Sequence, residues 1–304
     1  MNGEEEASNM KKALHLALFL ILSVLLLTVT AFADTGPKPR LTITVKNAPD
    51  EVYYLDLLEP DGEDDKTRLY DNLRENHESE PDAAMLQTLL DHTPEGWHAC
   101  MAEGTAYAPV WGSLTSEEKN SSGNPVHIFR YSGVPETYRI ITVTKSGAVQ
   151  LSEPRTRLIL QSSVTYDYAA NTLSSPPVAP AYAVQFLSTL LPTLIIEGLL
   201  LAAFGFSWKR NWKPFLLVNL ATQLLLSAVC GVSAVRNGVN FFYFFQFLPT
   251  ELVILVAEAL LYRHLLTGQS RSRATAYGIV ANLASAAAGL FTAVPVFQWI
   301  SRHF

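Results

Sequence analysis

The stretch YAVQFLSTLLPTLIIEGLLLAAFGF, residues 182–206, decides the fold because its 25 positions hold a single charged residue, Glu197. Three further apolar stretches follow it, and they cover residues 215–235, 241–261 and 276–300. Each of the four contains 21 to 25 residues, and about 20 apolar residues in a helix cross a hydrocarbon core of roughly 30 Å. The connections are short, so neighbouring spans should be antiparallel. The sequence therefore predicts a four-helix transmembrane domain over residues 182–304.

The composition indicates a membrane protein with a separate water-soluble part. Hydrophobic residues make up 49% of the 304 positions and charged residues 16%, whereas a typical soluble domain carries about 25% charged residues. Residues 34–181 hold 22 acids and 12 bases, and residues 182–304 hold 3 acids and 8 bases. This composition excludes disordered, collagenous and coiled-coil proteins. The net charge of −6 argues against a nucleic-acid partner, and two cysteines are too few for a disulfide framework.

Basic residues are unevenly distributed among the connections between the predicted spans. The first and third connections hold six of them: Lys209, Arg210, Lys213, Arg263, Arg271 and Arg273. The second connection and the carboxy-terminal tail hold only Arg236 and Arg302. Because cytoplasmic loops are enriched in lysine and arginine, the sequence predicts that loops 207–214 and 262–275 are cytoplasmic. Residues 34–181 are then outside.

The amino terminus has the features of an export signal. Two lysines precede an apolar run over residues 13–30, and Ala31 and Ala33 form a small-x-small cleavage pattern after it. These features are typical of a secretory signal peptide, although the run exceeds the usual apolar core of about 7–15 residues. An uncleaved signal anchor is therefore the alternative. Both interpretations of residues 1–33 place the following segment outside, in agreement with the loop charges.

The segment between the signal and the spans contains runs that alternate apolar and polar residues, as half-buried strands do. The predicted strands cover residues 41–46, 52–58, 127–131, 137–144, 148–151, 156–161 and 164–168. Short strands separated by turn signals predict an immunoglobulin-like β-sandwich over residues 34–173. A helical pattern that begins at Pro81 interrupts the strands. Three prolines mark residues 174–181 as a stiff linker to the membrane.

Two clusters in this segment contain residue types that bind metals. Residues 59–65, EPDGEDD, hold five carboxylates, which calcium favours, but EF-hand spacing is absent and a solvated hairpin loop is the simpler interpretation. Asp91, His92, His98 and Cys100 lack the compact spacing of most zinc ligands. For this second cluster the sequence favours a helix end followed by a packed loop, and it predicts no cofactor.

Each predicted span contains a carboxylate or amide side chain that is costly to expose to lipid. Four of them lie at similar depths, roughly 22 to 27 Å from the outer ends of their spans at 1.5 Å per residue. We expect these groups to turn inward, where each amide donates to a carboxylate. The predicted polar layer consists of Glu197, Asn219, Gln223, Glu251, Glu258 and Asn282. Such a layer either joins the helices by hydrogen bonds or binds a proton or a cation.

Three motifs in the first three spans carry a resemblance to known proteins. They are the glutamate within LIIEGLLLAAFGF, the Asn-Leu-x-Thr of residues 219–222, and a span with Glu251 and Glu258 that ends in Tyr262. On these motifs, residues 189–263 resemble a group of uncharacterised bacterial membrane proteins. The resemblance implies an exported amino-terminal β domain followed by four carboxy-terminal transmembrane helices, and it implies no activity.

An intramembrane protease of the CAAX type is a remote alternative. Such enzymes resemble this chain in an EExxxR motif, which is followed by histidines in later spans. Residues 258–263 read EALLYR, so Ala259 stands where the second glutamate is needed, and the fourth span contains no histidine. The sequence therefore lacks the groups that would hold a metal or activate water in such an enzyme.

Taken together, these patterns favour a non-enzymatic, multi-pass protein of the cell membrane. Its extracytoplasmic β domain would bind a protein or another ligand of the cell envelope. The helical bundle would contact lipid and either anchor the β domain or relay a signal to a partner. The alternative is a proton- or cation-coupled transporter, or a subunit of one, that uses Glu197 and Glu258.

Overall fold

The computed structural model describes residues 36–62, 70–76, 81–116 and 118–304. An amino-terminal β-sheet region comes first in the chain, and four long apolar helices follow it. Two predictions fall outside the described residues: the export signal with Ala31 and Ala33, and the part of the acidic run beyond Gly62. The order of the two described parts is the order that the sequence predicts.

Strands in the described residues form two sheets. In chain order they are β1 (Arg40–Lys46), β2 (Tyr53–Pro60), β3 (Trp97–Ala99), β4 (Glu118–Lys119), β5 (Pro125–Arg130), β6 (Thr137–Thr144), β7 (Val149–Leu151), β8 (Arg155–Thr156), β9 (Gln161–Asp167) and β10 (Thr172–Ser174). The first sheet has the order β10-β9-β1-β5-β4, and the second has the order β3-β2-β6-β7 with β8 also paired to β6. Strands β1 and β9 are parallel, and the other named pairs are antiparallel.

Two short helices, α1 (Asn72–Glu75) and α2 (Ala83–Asp91), lie between β2 and β3. Helix α2 is the one that the sequence predicts within the strand region. It begins after Asp82, whose carboxylate accepts two backbone N–H groups of the first turn and so caps the helix. Its apolar face packs against β6 and contributes Met85 and Leu89 to the core.

Apolar residues of both sheets belong to one core. In β1, Leu41, Ile43 and Val45 are completely buried and the residues between them are partly exposed, as the alternating pattern predicts. In contrast, β2 and β6 are buried over most of their length. These two strands are central in their sheet, and α2 covers part of β6, so both of their faces are shielded from water.

Four helices are long and apolar enough to cross a membrane: α3 (Ala179–Ala203), α4 (Trp208–Asn237), α5 (Phe241–Leu265) and α6 (Arg271–His303). Each overlaps one predicted span. The helices α4 and α6 begin before residues 215 and 276, because the polar residues of the connections continue the helical backbone. The linker predicted over residues 174–181 is shorter than expected, since α3 already begins at Ala179.

Small residues permit close packing within the bundle. Helix α6 packs along both α3 and α5, and α4 contacts the same two helices. A Cβ atom at Gly278 of α6 would lie 2.9 Å from the Cα of Ala259 in α5, so this crossing requires a glycine. Helix α4 contains a π-helical turn over Ser227–Gly231, and Gln185 of α3 lies directly against Gly231. Such turns often occur at functional sites.

The strand predicted over residues 156–161 does not form, and this part of the prediction is wrong. Only Arg155–Thr156 pairs as a strand before the chain leaves the sheet. The guanidinium of Arg157 donates to four backbone carbonyl groups of the surrounding loops, at 2.8 to 3.5 Å. These bonds replace the ladder bonds that a strand would make. The resulting loop carries Ile159 and Leu160 toward the helices.

This loop joins the β region to one end of the bundle. Leu160 lies in one apolar cluster with Phe297, and its N–H donates to the carbonyl of Val235 at 3.1 Å. Arg236 and Glu136 form an ion pair at 3.0 Å across the same boundary. We call the helix ends that contact the β region proximal and the opposite ends distal.

Candidate functional site in the helix bundle

The structure collects the predicted polar layer inside the helix bundle. Five of its six residues are at most 6% exposed, and the sixth, Glu251, is half-buried. Every long helix contributes to the layer: α3 supplies Glu197, α4 supplies Asn219 and Gln223, α5 supplies Glu251 and Glu258, and α6 supplies Asn282. Each helix is otherwise mostly apolar, so its polar residues mark the face that it turns toward the bundle interior.

Glu258 connects three helices. One oxygen of its carboxylate accepts a hydrogen bond of 2.7 Å from the hydroxyl of Thr222 in α4. The other oxygen lies 3.5 Å from the amide nitrogen of Asn282 in α6, a long contact in the predicted direction. The Glu258 side chain is only 1% exposed. Its carboxylate therefore depends on these polar side chains, because water does not reach it.

Glu197 is completely buried and incompletely bonded. Its Oε1 atom accepts a hydrogen bond of 2.8 Å from Ser285, which lies one turn from Asn282 on α6. Its Oε2 atom has no hydrogen-bond partner among the described residues. Ser285 donates to Glu197, and Asn282 contacts Glu258. Because Ser285 and Asn282 lie on one face of α6, the two carboxylates lie in the same part of the bundle interior.

The amide of Asn219 is used differently from the prediction. Its nitrogen donates to the hydroxyl of Tyr262 at 2.8 Å and to the carbonyl of Phe215 at 3.0 Å. Tyr262 is completely buried, as is Tyr277, and their ring centroids are 5.1 Å apart. These two tyrosines belong to an apolar cluster on the distal side of the layer. They close the bundle interior in that direction.

A groove approaches the layer from the proximal side. Tyr243, Phe247 and Phe297 form apolar parts of its wall, and Glu251 and Gln223 line its deep part. Gln223 donates to Thr193 at 3.3 Å, while its Oε1 atom is buried without a hydrogen-bond partner among the described residues. The groove therefore ends at polar atoms that can bond to a small ligand.

The charges of the layer are not balanced within the bundle. In the described residues 179–304, no lysine or arginine is buried. A carboxyl group away from water is stable when it is protonated, paired with a cationic side chain or bound to an ion. Since no lysine or arginine of the described residues is buried beside Glu197 or Glu258, a bound proton or a bound ion is what would stabilise these two carboxyl groups. The chemistry that this arrangement supports is the reversible binding of a proton or a cation.

Sequence reasoning did not identify Thr222, Tyr262 or Tyr277 as part of this site. Helical spacing is the signal that could have found the first two. Thr222 lies three residues after Asn219, and Tyr262 lies four residues after Glu258, so each shares a helix face with a predicted member. Tyr277 has no comparable signal, because its contact with the backbone carbonyl of Glu197 depends on how α6 packs against α3.

The predicted metal candidates of the β region separate into two groups. His98 and Cys100 lie together at the edge of the second sheet and are joined there by Glu59. His92 lies apart, exposed at the end of α2, where its Nδ1 atom is 2.8 Å from the carbonyl of Thr88. The predicted helix end corresponds to His92, and the predicted packed loop corresponds to strand β3 and the turn after it, where His98 and Cys100 are buried.

Comparisons with known proteins returned no match from family models, from curated proteins or from solved structures.

Proposed function

We propose that the chain is a multi-pass protein of the cell membrane whose helix bundle binds a proton or a cation at Glu197 and Glu258. In this proposal the β region is extracytoplasmic and docks on the outer end of the bundle. The observation that carries the proposal is the burial of both carboxylates without a buried cationic side chain among residues 179–304. If the layer only joined the helices, amides and hydroxyls would suffice at lower cost.

Membrane insertion and sidedness are supported by the position of the basic residues. The connections at the distal end contact one another, since Gln269 donates to the carbonyl of Gly205 at 2.8 Å and Asn211 donates to that of Thr267 at 3.1 Å. Six basic residues of the bundle flank these connections, and Arg236 and Arg302 are the two at the other end. By the positive-inside rule the distal end faces the cytoplasm, and the β region is then outside.

An immunoglobulin-like sandwich is the proposed fold of the extracytoplasmic region. Two observations support it: apolar residues of both sheets share one core, and the strand pairs are antiparallel except for β1 and β9. A sandwich of this kind offers loops and sheet edges for ligand binding while its core stays intact. The export signal predicted for residues 1–33 fits the same location.

The groove suggests the route by which the ion reaches the layer. A proton or cation that enters from the proximal side meets Glu251 first, because this residue lines the groove. Glu258 follows seven residues later on the same helix, roughly 10 Å deeper at 1.5 Å per residue. The buried pair of Tyr262 and Tyr277 blocks further passage. The arrangement therefore corresponds to a groove that reaches Glu251 from the proximal side, with the buried carboxylates of Glu258 and Glu197 beyond its lining.

Labelling with a hydrophobic carbodiimide tests this proposal, because the reagent modifies protonated carboxyl groups in apolar surroundings. In the full-length protein in lipid nanodiscs, we expect labelling of Glu197 or Glu258 that decreases as the pH rises. A cation site predicts that one added cation, for example Na⁺, protects these residues at constant ionic strength. Exposed Glu95 is the matched control and should not be labelled. Absence of labelling in the bundle at every pH would contradict the proposal.

A second candidate function, ligand binding by the β region, is favoured by exposed aromatic rings. Tyr107 is 82% exposed and Trp111 is 42% exposed, and Trp111 stacks on Tyr131 with ring centroids 4.1 Å apart. Aromatic side chains on a surface are frequent anchors of binding sites. A photoreactive residue at Tyr107 should cross-link to one envelope component in cells, and Trp111→Ala should remove that product. Cross-linking that is unchanged by Trp111→Ala would exclude this surface.

A further inference from the structure

Three side chains with different metal-binding atoms meet at the edge of the second sheet. Glu59 comes from β2, His98 from β3, and Cys100 from the turn that follows β3. Their ligand atoms, one carboxylate oxygen, one imidazole nitrogen and the thiol sulfur, all lie within 4.8 Å of one another. His98 and Cys100 are almost completely buried. The proposed function in the helix bundle uses none of these residues.

Strand pairing explains why these residues meet. Glu59 is directly opposite His98 in the antiparallel pair of β2 and β3, so their side chains lie on the same face of the sheet. Cys100 lies two residues after His98, and its N–H donates to the carbonyl of Leu57 at 2.8 Å, which continues the ladder. Alternation along a strand therefore returns Cys100 to the face of His98.

The backbone around Cys100 is held by a buried carboxylate. Asp56 is completely buried, and its oxygens accept the N–H groups of Met101 and Ala102 at 2.9 to 3.1 Å. The carboxylate of Glu103 accepts the N–H of Ala99 at 2.6 Å. These bonds fix the turn on both sides of the thiol, so the position of Cys100 does not depend on its own side-chain contacts.

The imidazole of His98 is oriented as in many zinc sites. Its Nδ1 atom lies 3.0 Å from Asp61 Oδ1, and its Nε2 atom lies 3.3 Å from Glu59 Oε2. A histidine that donates from Nδ1 to a carboxylate presents a lone pair at Nε2. That lone pair would then face an oxygen that also only accepts. A metal ion between Nε2 and Glu59 resolves this contact, and protonation of His98 is the other solution.

The spacing of the atoms suits a small tetrahedral ion. With zinc bonds of about 2.0 to 2.3 Å, neighbouring ligand atoms are roughly 3.3 to 3.6 Å apart. The distance of 3.3 Å between His98 Nε2 and Glu59 Oε2 already has this value. The Cys100 thiol lies within 4.8 Å of a His98 ring nitrogen and of a Glu59 carboxylate oxygen, so a small side-chain movement completes the set. Sulfur, nitrogen and oxygen ligands together favour Zn²⁺ over Ca²⁺ or Mg²⁺.

We infer that Glu59, His98 and Cys100 bind one zinc ion, and that Asp61 orients His98 as its hydrogen-bond partner. The fourth position is filled by water, since the Glu59 side of the cluster is 36% exposed. The ion joins the end of β2 to the segment after β3. Its binding therefore stabilises the β region.

Cobalt substitution tests this site in the full-length protein in detergent, after chelation and reduction of the thiols. We expect one Co²⁺ per chain, with the thiolate-to-cobalt charge-transfer band and the strong visible bands of a tetrahedral site, and displacement of both by Zn²⁺. Cys100→Ser should remove the charge-transfer band. Asp61→Asn should weaken binding by about 10- to 100-fold, because the carboxylate that orients the His98 imidazole is lost.

Two controls keep the test decisive if Cys100→Ser folds poorly. Cys230→Ser removes the other buried cysteine, and His92→Gln removes the nearby exposed histidine; both should leave the cobalt spectrum unchanged. A wild-type protein without the charge-transfer band, or a spectrum that is lost in Cys230→Ser, would overturn the assignment. Binding of Co²⁺ without sulfur ligation would also overturn it and would leave a protonated His98 between two carboxylates as the explanation.

Discussion

The stability of the β region should depend on pH through His127, one of the two buried histidines among its described residues. His127 of β5 is completely buried, and its Nε2 atom lies 3.1 Å from the hydroxyl of Tyr53. Burial lowers the pKa of His127 from 6.5 to about 4. The unfolded chain therefore binds a proton between these two pH values that the folded chain does not bind. The contribution of neutral His127 to the stability of the β region is fully present above pH 6.5 and is lost as the pH falls toward 4.

The size of this effect follows from the difference of about 2.5 pKa units. At 1.36 kcal/mol per unit, protonation should cost the folded β region about 3 kcal/mol. Carboxylates whose pKa is lowered by hydrogen bonds also destabilise the folded state in acid, but only from pH 4.5 downward; they are Glu51, Asp82 and Asp167. The interval between pH 6.5 and 4.5 therefore isolates His127 from these groups.

Hydrogen–deuterium exchange of β1 and β5 in the full-length protein measures this loss. After correction for intrinsic exchange rates, protection should fall by about 1.5 orders of magnitude between pH 6.5 and 4.5, which corresponds to about 2 kcal/mol of the total. His127→Gln removes the titrating group and should abolish most of this dependence. His92→Gln, at an exposed histidine, should retain it. Equal pH dependence in the wild type and His127→Gln would refute the reasoning.

Three further predictions concern the assembly of the molecule. Leu160→Ala should weaken the docking of the β region on the helices by about 2 to 5 kcal/mol, measured as faster exchange in the proximal helix ends; unchanged exchange would contradict the docking. Gly278→Val should lower the thermal stability of the bundle, measured by aggregation in detergent, whereas Gly289→Val should be tolerated because, among the described residues, no atom beyond its own helical turn lies within 4 Å of an added Cβ. A reporter that is active only outside should work after Asn237 and fail after Gly268; the reverse result would invert the topology.

The sequence predicts correctly those strands whose buried side follows from a regular alternation of apolar and polar residues. Leu41, Ile43 and Val45 alternate regularly, and the strand that contains them forms with almost the predicted bounds. The same reasoning fails at residues 156–161, where alternation is present but Arg157 bonds to carbonyl groups from other parts of the chain. Alternation of apolar and polar residues is a property of one segment of the chain. It gives no information about a long side chain, such as that of Arg157, that donates hydrogen bonds to backbone carbonyl groups of another loop.

The two candidate sites differ in how far the sequence predicts them. Hydropathy identifies Glu197 and Glu258 because polar residues stand out in apolar helices, and the cost of exposing them to lipid predicts their inward position. The sequence predicts a solvated acidic loop around Glu59, because nothing in the sequence links this residue to His98, 39 positions later. The register between β2 and β3 creates that contact, and register depends on the packing of the whole sheet.

Infrared titration of the full-length protein in nanodiscs tests the central claim most directly. The carbonyl stretch of a protonated carboxyl group reports whether Glu197 and Glu258 exchange a proton or a cation. We predict a band from buried carboxyl groups that disappears as the pH rises or as one cation is added, and that is absent from the double variant Glu197→Gln, Glu258→Gln. A band that persists unchanged at every pH and with every cation would contradict the account and would leave the polar layer as hydrogen-bonded packing.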